Sequence, residues 1–273
     1  MTPTPANDPK QVATQYATSA NLDARIRLHA DYSTNQYGWL PWVFDQLLTL
    51  PATATILEVG CGTGQLWAEN QRRIPNGWTL ILSDQSTGML DKSSAILAHL
   101  QRPLHFEQID AQQIPYEDAH FDAVIANHML YHVPDLPQTL GEIHRVLKPG
   151  GKLFAATNGR AHMVELSELA GRFDDQLHSK SAMAIDNFLL ENGKDQLTTV
   201  FDSVTCPIYE DALVVDEADA LVDYILSMAP TTFHDAAKRQ ALRDFIQRTM
   251  VDLGGHITIA KSTGLFIATK GAS

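Results

Sequence analysis

The chain has 273 residues, with 20 Lys and Arg against 32 Asp and Glu, for a formal net charge of −12. This length points to one large domain with an appended or inserted part, and 44% hydrophobic with 19% charged residues place the chain among globular proteins able to bury a sizeable core. The acidic balance argues against sequence-independent attraction to phosphate backbones. Two cysteines, Cys61 and Cys206, without a CxxC argue against a disulfide framework or a Cys-rich zinc site and fit a reducing, cytoplasmic setting.

The N-terminal MTPTPANDPKQ lacks a basic stretch followed by an apolar one, and no run approaches the roughly 18 apolar residues of a spanning helix, so neither export by that route nor a membrane span is expected. A frayed end is expected through residue 9 and a helix over 11–30. Trp42, Phe44, Leu47 and Leu48 then share one helical face, with Pro41 tolerated in the first turn. Five aromatics crowd between residues 32 and 44: Tyr32, Tyr37, Trp39, Trp42 and Phe44. Trp42 and Phe44 read as residues that dock this helix, whereas Tyr32, Tyr37 and Trp39 suit docking or ligand cover equally. The polar STNQ run at 33–36 reads as a hinge for a cover spanning 20–45.

From Thr55 the rhythm changes. TILEV (55–59), TLILS (79–83), LHFEQI (104–109), FDAVIA (121–126) and KLFAAT (152–157) are short and continuously apolar, as strands buried on both faces of a parallel sheet are. Helical stretches near 65–73, 86–99 and 135–147 alternate with them, and Lys148-Pro149-Gly150-Gly151 has the make-up of a tight turn into the fifth strand. After Asn158 two helical stretches in 161–196 read as an inserted lid. They are followed by a strand at TTVFDSVTC (198–206), helices at 216–229 and 234–252, and a last strand at GLFIATK (264–270). The expected fold is a doubly wound, mostly parallel, seven-stranded α/β sheet. Its expected divisions are an N-terminal helical cover (1–50), a core (51–160), a helical lid (161–197) and the C-terminal part of the core (198–273). Residues 202–237 carry eight acids and no Lys or Arg, a surface that would repel a polyanion.

The chemistry concentrates at ILEVGCGTGQLW (56–67), where a buried strand ends at Glu58 and runs through Gly60, Gly62 and Gly64 into a helix. Glycines there permit a tight turn and close approach of a ligand. The spacing is GxGxG, not the GxGxxG of a dinucleotide loop, and nothing positions a pyrophosphate. Asp84, ending the second strand, suits two ribose hydroxyls or a helix N-cap, although Ser86 can take the cap. Asp110 reads on its own as a turn residue.

Four stretches in order resemble the class I S-adenosylmethionine-dependent methyltransferases, of the type 11-like kind that includes small-molecule and quinone methyltransferases. ILEVGCGTG (56–64) is similar to the family's glycine-rich motif, SDQSTGML (83–90) to its ribose-binding strand end, IDAQQIPYEDAHFDAVIANHMLYHV (109–133) to its adenine loop and fourth strand, and EIHRVLKPGGKLFAAT (142–157) to its next helix, turn and strand. The resemblance implies a Rossmann-like sheet that binds S-adenosyl-L-methionine, leaves S-adenosyl-L-homocysteine and uses no metal. It implies Glu58, Gly60 and Gly62 around the methionine part, Asp84 with Gln85 beside it at the ribose, and Asp110 and Ala111 at the adenine, with Cys61, Gly64 and Met89 also among the cofactor-binding residues. Asn127 and His128 fall below the cofactor, with Tyr32 and Trp39 over it.

The catalytic residue is not legible, and His128 and Tyr37 are the candidates. Tyr37, His128, Asn158 and His162 are the candidates for lining the acceptor site. His128 and His132 are spaced to share a helix face, yet no HExxH and no third ligand accompany them, and His132 reads as structural. The expected partner is a small-molecule methyl acceptor, with no membrane and no nucleic acid, and a homodimer is left open. The alternatives are methylation of RNA or protein, and a non-methylating enzyme or binding protein on the same cofactor fold.

Overall fold

The computed structural model describes residues 19–177 and 187–272. In chain order its main elements are α1 (Ser19–Tyr32), α2 (Trp39–Leu47), β1 (Thr55–Val59), α3 (Gln65–Glu69), β2 (Thr79–Asp84), α4 (Thr87–Leu97), β3 (Leu104–Gln108), β4 (Phe121–Asn127), α5 (Leu136–Val146) and β5 (Leu147–Asn158). There follow α6 (Val164–Phe173), α7 (Gly193–Leu197), β6 (Ser203–Thr205), β7 (Ile208–Tyr209), β8 (Ala212–Val215), α8 (Ala218–Met228), α9 (Ala236–Asp252), β9 (Ile257–Ala260) and β10 (Thr263–Thr269). The helix expected over 11–30 falls partly outside the described residues, as does part of the lid.

Two compact units account for these elements. One comprises Tyr37–Gly159, Asn187–Tyr209 and Thr263–Ser273. Its sheet runs β3-β2-β1-β4-β5-β10-β6, with β7 also on β10, so it has eight strands where seven were expected. β1 to β5 are parallel, and β10 is antiparallel to β5 and β6. Alternate residues of each central strand face opposite ways. Leu57, Val59, Val124, Ala126, Leu153 and Ala155 join one apolar cluster with Leu140 and Ile143 of α5. Ile56, Ala123, Ile125, Phe154 and Ala156 join another with Phe44 of α2 and Trp67 of α3. Each fully buried Leu or Ile contributes roughly 1.5–3 kcal/mol relative to exposure. α5 shows how sequence sets an element: Leu136, Leu140 and Ile143 at helical spacing form its buried face, and the Asp135 carboxylate accepts from the Gln138 N–H at its start. Strand order reverses between β1 and β4, so the crevice for a ligand opens at their carboxyl ends.

The expected strand over 198–206 is shortened to Ser203–Thr205. Thr198, Thr199 and Val200 instead close the turn after α7, their N–H groups donating to Lys194, Gln196 and Leu197 carbonyls. Local back-bonding here overrides the β-branched composition.

Of the described residues, the second unit comprises 19–36, 160–177 and 210–262. Leu28, Leu166, Leu169, Leu221, Ile225, Leu242 and Ile246 form its apolar centre. Antiparallel β8 and β9, which sequence reading missed, flank it. The STNQ run is pinned by Asp211: the carboxylate accepts from the Ser33 and Thr34 hydroxyls, the Asn35 N–H and Lys261 Nζ. The side chains of Lys261 and Asp211 are 9% and 0% exposed. Burial raises the Asp211 pKa, but Lys261, Ser33 and the Asn35 N–H outweigh it and hold the carboxyl below its ordinary value. Removing one partner of a buried pair leaves the other charge uncompensated, so Asp211→Ala should lower stability by about 3–5 kcal/mol in urea unfolding, and a loss below about 1 kcal/mol would contradict this clamp. Because the folded-state pKa is depressed, the contribution is full above the unfolded carboxylate pKa and declines as the medium is acidified through the folded one.

Candidate functional site

β1 is buried at every position from Ile56 to Val59, which carries Glu58 into the interior. Glu58 is 3% exposed, and its carboxylate accepts from Trp67 Nε1 at 2.6 Å. Burial pushes the Glu58 pKa up to about 7; Trp67 and the Asn127 amide pull against this, and the Asp84 charge adds to it. Trp67, unrecognised in the sequence, was legible as the donor that a carboxylate ending an apolar strand requires.

The loop beyond β1 folds on its own hydrogen bonds. The Cys61 N–H donates to Ser83 O at 2.8 Å, the Gly62 N–H to Asp84 Oδ2 at 3.0 Å and the Gly64 N–H to Cys61 O at 3.0 Å. These donors are spent inside the protein, so the loop does not present them to a phosphate as an anion-binding turn would. Gly62, at φ 56°, has nothing within 4 Å of where a Cβ would stand, so its outer side is open. Gly64, at φ 75°, faces inward, where a Cβ would lie 2.5 Å from Ser93 Oγ and 2.8 Å from Leu97 Cδ1. Gly64 thus seats the loop on α4. Cys61 is buried, and burial followed by the nearby Glu58 and Asp84 raises its thiol pKa.

Asp84 ends β2 half-buried, and its second oxygen accepts from the Ser86 N–H at 2.8 Å. Ser86, not Asp84, caps α4, accepting from the Met89 N–H at 3.4 Å. Gln85 is exposed beside it, and its carbonyl accepts from Gln108 Nε2 at 2.9 Å; Met89 is half-buried. Asp110 follows β3, exposed, accepting from the Gln112 N–H at 2.9 Å, while Ala111 is buried.

At the end of β4, Asn127 places both amide atoms where they are buried and complete no hydrogen bond among the described residues, although the amide faces Glu58 closely enough to lower its pKa. His128 takes φ 52°, a left-handed conformation costing a non-glycine residue roughly 1–2 kcal/mol. Its N–H still donates to Ala156 O at 3.1 Å. This turn, and the short 3-10 segment Leu130–His132, separate His128 from His132, so the two do not share a helix face. The His128 ring lies 5.5 Å from that of Trp39, which stacks at 5.3 Å on Trp42; both tryptophans approach Tyr209, which sequence reading did not single out. Phe44 is fully buried among Trp67 and Trp78.

The remaining candidates have partners of their own. Tyr37 is exposed, and its hydroxyl donates to Asp45 Oδ2 at 2.7 Å, a bond that raises its pKa. Asn158, at the end of β5, accepts from the Thr263 hydroxyl at 2.9 Å. Tyr32 and His162 belong to the second unit. Burial and then Glu217 raise the Tyr32 pKa to about 12, and His162 Nδ1 accepts from the Ser262 N–H at 3.2 Å. Among the described residues no group of three or more His, Cys, Asp or Glu is arranged to hold a metal ion, and no helix is long and apolar enough to cross a membrane.

One sheet edge thus gathers Glu58, Asp84, Asp110 and Asn127 beside an open glycine turn. Three carboxylates at one edge suit a ligand rich in hydroxyl and amino donors or carrying positive charge. Residues 57–155 match the family model described as a methyltransferase domain. The demethylmenaquinone methyltransferase of Lactobacillus johnsonii is 34% identical over 141 residues, 49% of this chain and 57% of that protein. A malonyl acyl-carrier-protein O-methyltransferase of Serratia marcescens is 29% identical over 126 residues, 45% of this chain and 46% of that protein. The chain therefore spans about half the length of the relatives it matches. Among solved structures, the 4+2 cyclase SpnF superposes with a TM-score of 0.60 at 18% identity, covering 99% of this chain and 98% of that one, a likeness of fold.

The two glycines separate strain from crowding. Gly62→Ala should cost about 1–2 kcal/mol, for left-handed strain alone, and Gly64→Ala about 2–4 kcal/mol, since overpacking against α4 adds to it. Denaturant unfolding of both variants compares them, and equal losses would contradict the inward placement of Gly64.

Proposed function

We propose that this chain, a member of the class I S-adenosylmethionine-dependent methyltransferase family through the domain at residues 57–155, transfers a methyl group from S-adenosylmethionine to a small-molecule acceptor. The observation that carries this is the edge where Glu58, Asp84, Asp110 and the open side of Gly62 come together. The residues present fit the cofactor: the buried Asn127 amide has bonding capacity left over, and the space beside Gly62 is one a Cβ would fill. Asp84, already fixed by the Gly62 and Ser86 N–H groups, would accept from the ribose hydroxyls through its remaining lone pairs. Asp110 would accept from the adenine amino group, and Glu58 with Gly60 and Gly62 would surround the methionine part.

Bound there, the cofactor supplies a sulfonium methyl group for in-line displacement. The protein's part is to hold donor and acceptor in line and to exclude water. A base is needed only for an acceptor that must lose a proton early. Of the two candidates His128 is the better placed, because Tyr37 spends its hydroxyl proton on Asp45, and that bond raises its pKa. The relatives are named for a quinone precursor and for malonyl acyl-carrier protein, which supports a metabolic acceptor without choosing one. Neither Cys61 nor Cys206 forms a disulfide, which supports a cytoplasmic setting.

Calorimetry with S-adenosylhomocysteine should show saturable binding, which Asp84→Ala weakens by ~1–3 kcal/mol through lost charge-assisted bonds. No binding to the wild type would overturn the reading. Methyl transfer from labelled cofactor into purified RNA alone, with none into a metabolite extract, would overturn the acceptor class.

Glu58 gives this binding a pH signature. Its pKa of about 7 makes it change charge across neutrality, and the ammonium group of the ligand's homocysteine part favours the ionised form. Affinity should therefore rise between about pH 5.5 and about pH 8.5 and then level, and Glu58→Gln should flatten the profile. A profile unchanged in that variant would place the titrating group elsewhere.

A further inference from the structure

Gln112 uses all of its polar groups at one junction. Its N–H donates to Asp110 Oδ1 at 2.9 Å, and its side-chain Nε2 donates to the same carboxylate at 3.2 and 3.3 Å. Its Oε1 accepts from the Asp135 N–H at 3.2 Å, and its carbonyl accepts from Gln138 Nε2 at 2.9 Å. Asp135 and Gln138 form the capped start of α5, so that helix holds Gln112 from two sides while Gln112 grips Asp110 from two sides. The amide orientation is dictated by its partners: its oxygen meets an N–H and its nitrogen meets a carboxylate.

The rest of the loop is tied to the same helix. Glu142 accepts from the Ile114 N–H at 2.9 Å, and Arg145 donates to the Ile114 and Tyr116 carbonyls and to Glu142 and Asp118. Asp110 itself is exposed, and without these bonds its carboxylate would rotate in solvent. Gln112 is the one side chain among the described residues seen to bond that carboxylate.

We infer that Gln112 is a positioning residue for base recognition: bridging Asp110 to the start of α5, it aims the carboxylate and so sets selectivity for a purine that carries an exocyclic amino donor. This rests on the cofactor site of the proposed function. Fixing the acceptor beforehand removes the entropy of ordering it on binding, and a site built to accept from an amino group rejects the analogue lacking it.

The test is calorimetry with S-adenosylhomocysteine and S-inosylhomocysteine, whose base has an oxo group in place of the amino group, on the wild type, Gln112→Ala and Gln112→Glu. Wild type should prefer the adenosyl ligand by about tenfold or more, the order expected for one hydrogen bond to a charged group. Gln112→Ala should lose adenosyl affinity by about threefold to tenfold with inosyl affinity unchanged, narrowing the ratio. Gln112→Glu keeps the length and the acceptor for Asp135 but removes the donor to Asp110, and should narrow the ratio equally. Equal loss toward both ligands would make Gln112 structural and overturn the inference, as would an unchanged ratio in either variant. Binding of neither ligand by the wild type would instead overturn the proposed cofactor site, and this inference with it.

Discussion

Both faces of the central sheet are sealed under apolar side chains, and this constraint decides where chemistry can occur. Leu57, Val124 and Leu153 point into one cluster and Ile56, Ile125 and Phe154 into the other, so the middles of β1, β4 and β5 are walled in on both sides. The exits are the strand ends. Glu58 shows what happens one residue short of an exit: its carboxylate remains inside, supported by Trp67 and held near neutrality. Asp84 and Asp110 stand at or just beyond their strand ends, where solvent and partners satisfy them. Reversal of strand order between β1 and β4 then sets these ends around one crevice.

Much of this was legible in the sequence because it depends on short-range patterns. The apolar runs at 55–59, 79–83 and 121–126 became β1, β2 and β4, and the glycine spacing after Glu58 marked the turn. Ser86 was readable as a cap from its place before a helical stretch. What escaped depends on pairing between distant segments. β8 and β9 lie far apart in sequence, each only four residues long, and Ile257–Ala260 declares itself a strand only when Ala212–Val215 lies alongside. The STNQ run looked like a hinge since nothing nearby in the sequence holds it, whereas its partner Asp211 lies 178 residues from Ser33.

The glycine turn divides its duties in a way that sequence could not separate. Three alternate glycines look equivalent as letters, yet Gly62 faces open space and Gly64 presses on Ser93 and Leu97. One residue serves access and the other packing. His128 adds a third device at the same edge, since a left-handed residue at the end of β4 turns its ring toward Trp39 without breaking the hydrogen bond to β5.

The place of β10 has a consequence for how the protein comes into being. It lies between β5 and β6, antiparallel to both, although both are synthesised before it. On the ribosome, β5 therefore waits with one edge unpaired while the whole of α6 through β9 is translated. An exposed edge of apolar residues is a template for pairing with another nascent chain. The sheet is complete only once Thr263–Thr269 pairs with both β5 and β6. Until then the cell holds a chain whose glycine turn can already form but whose strand edge must be shielded by speed, by chaperones or by distance from its neighbours.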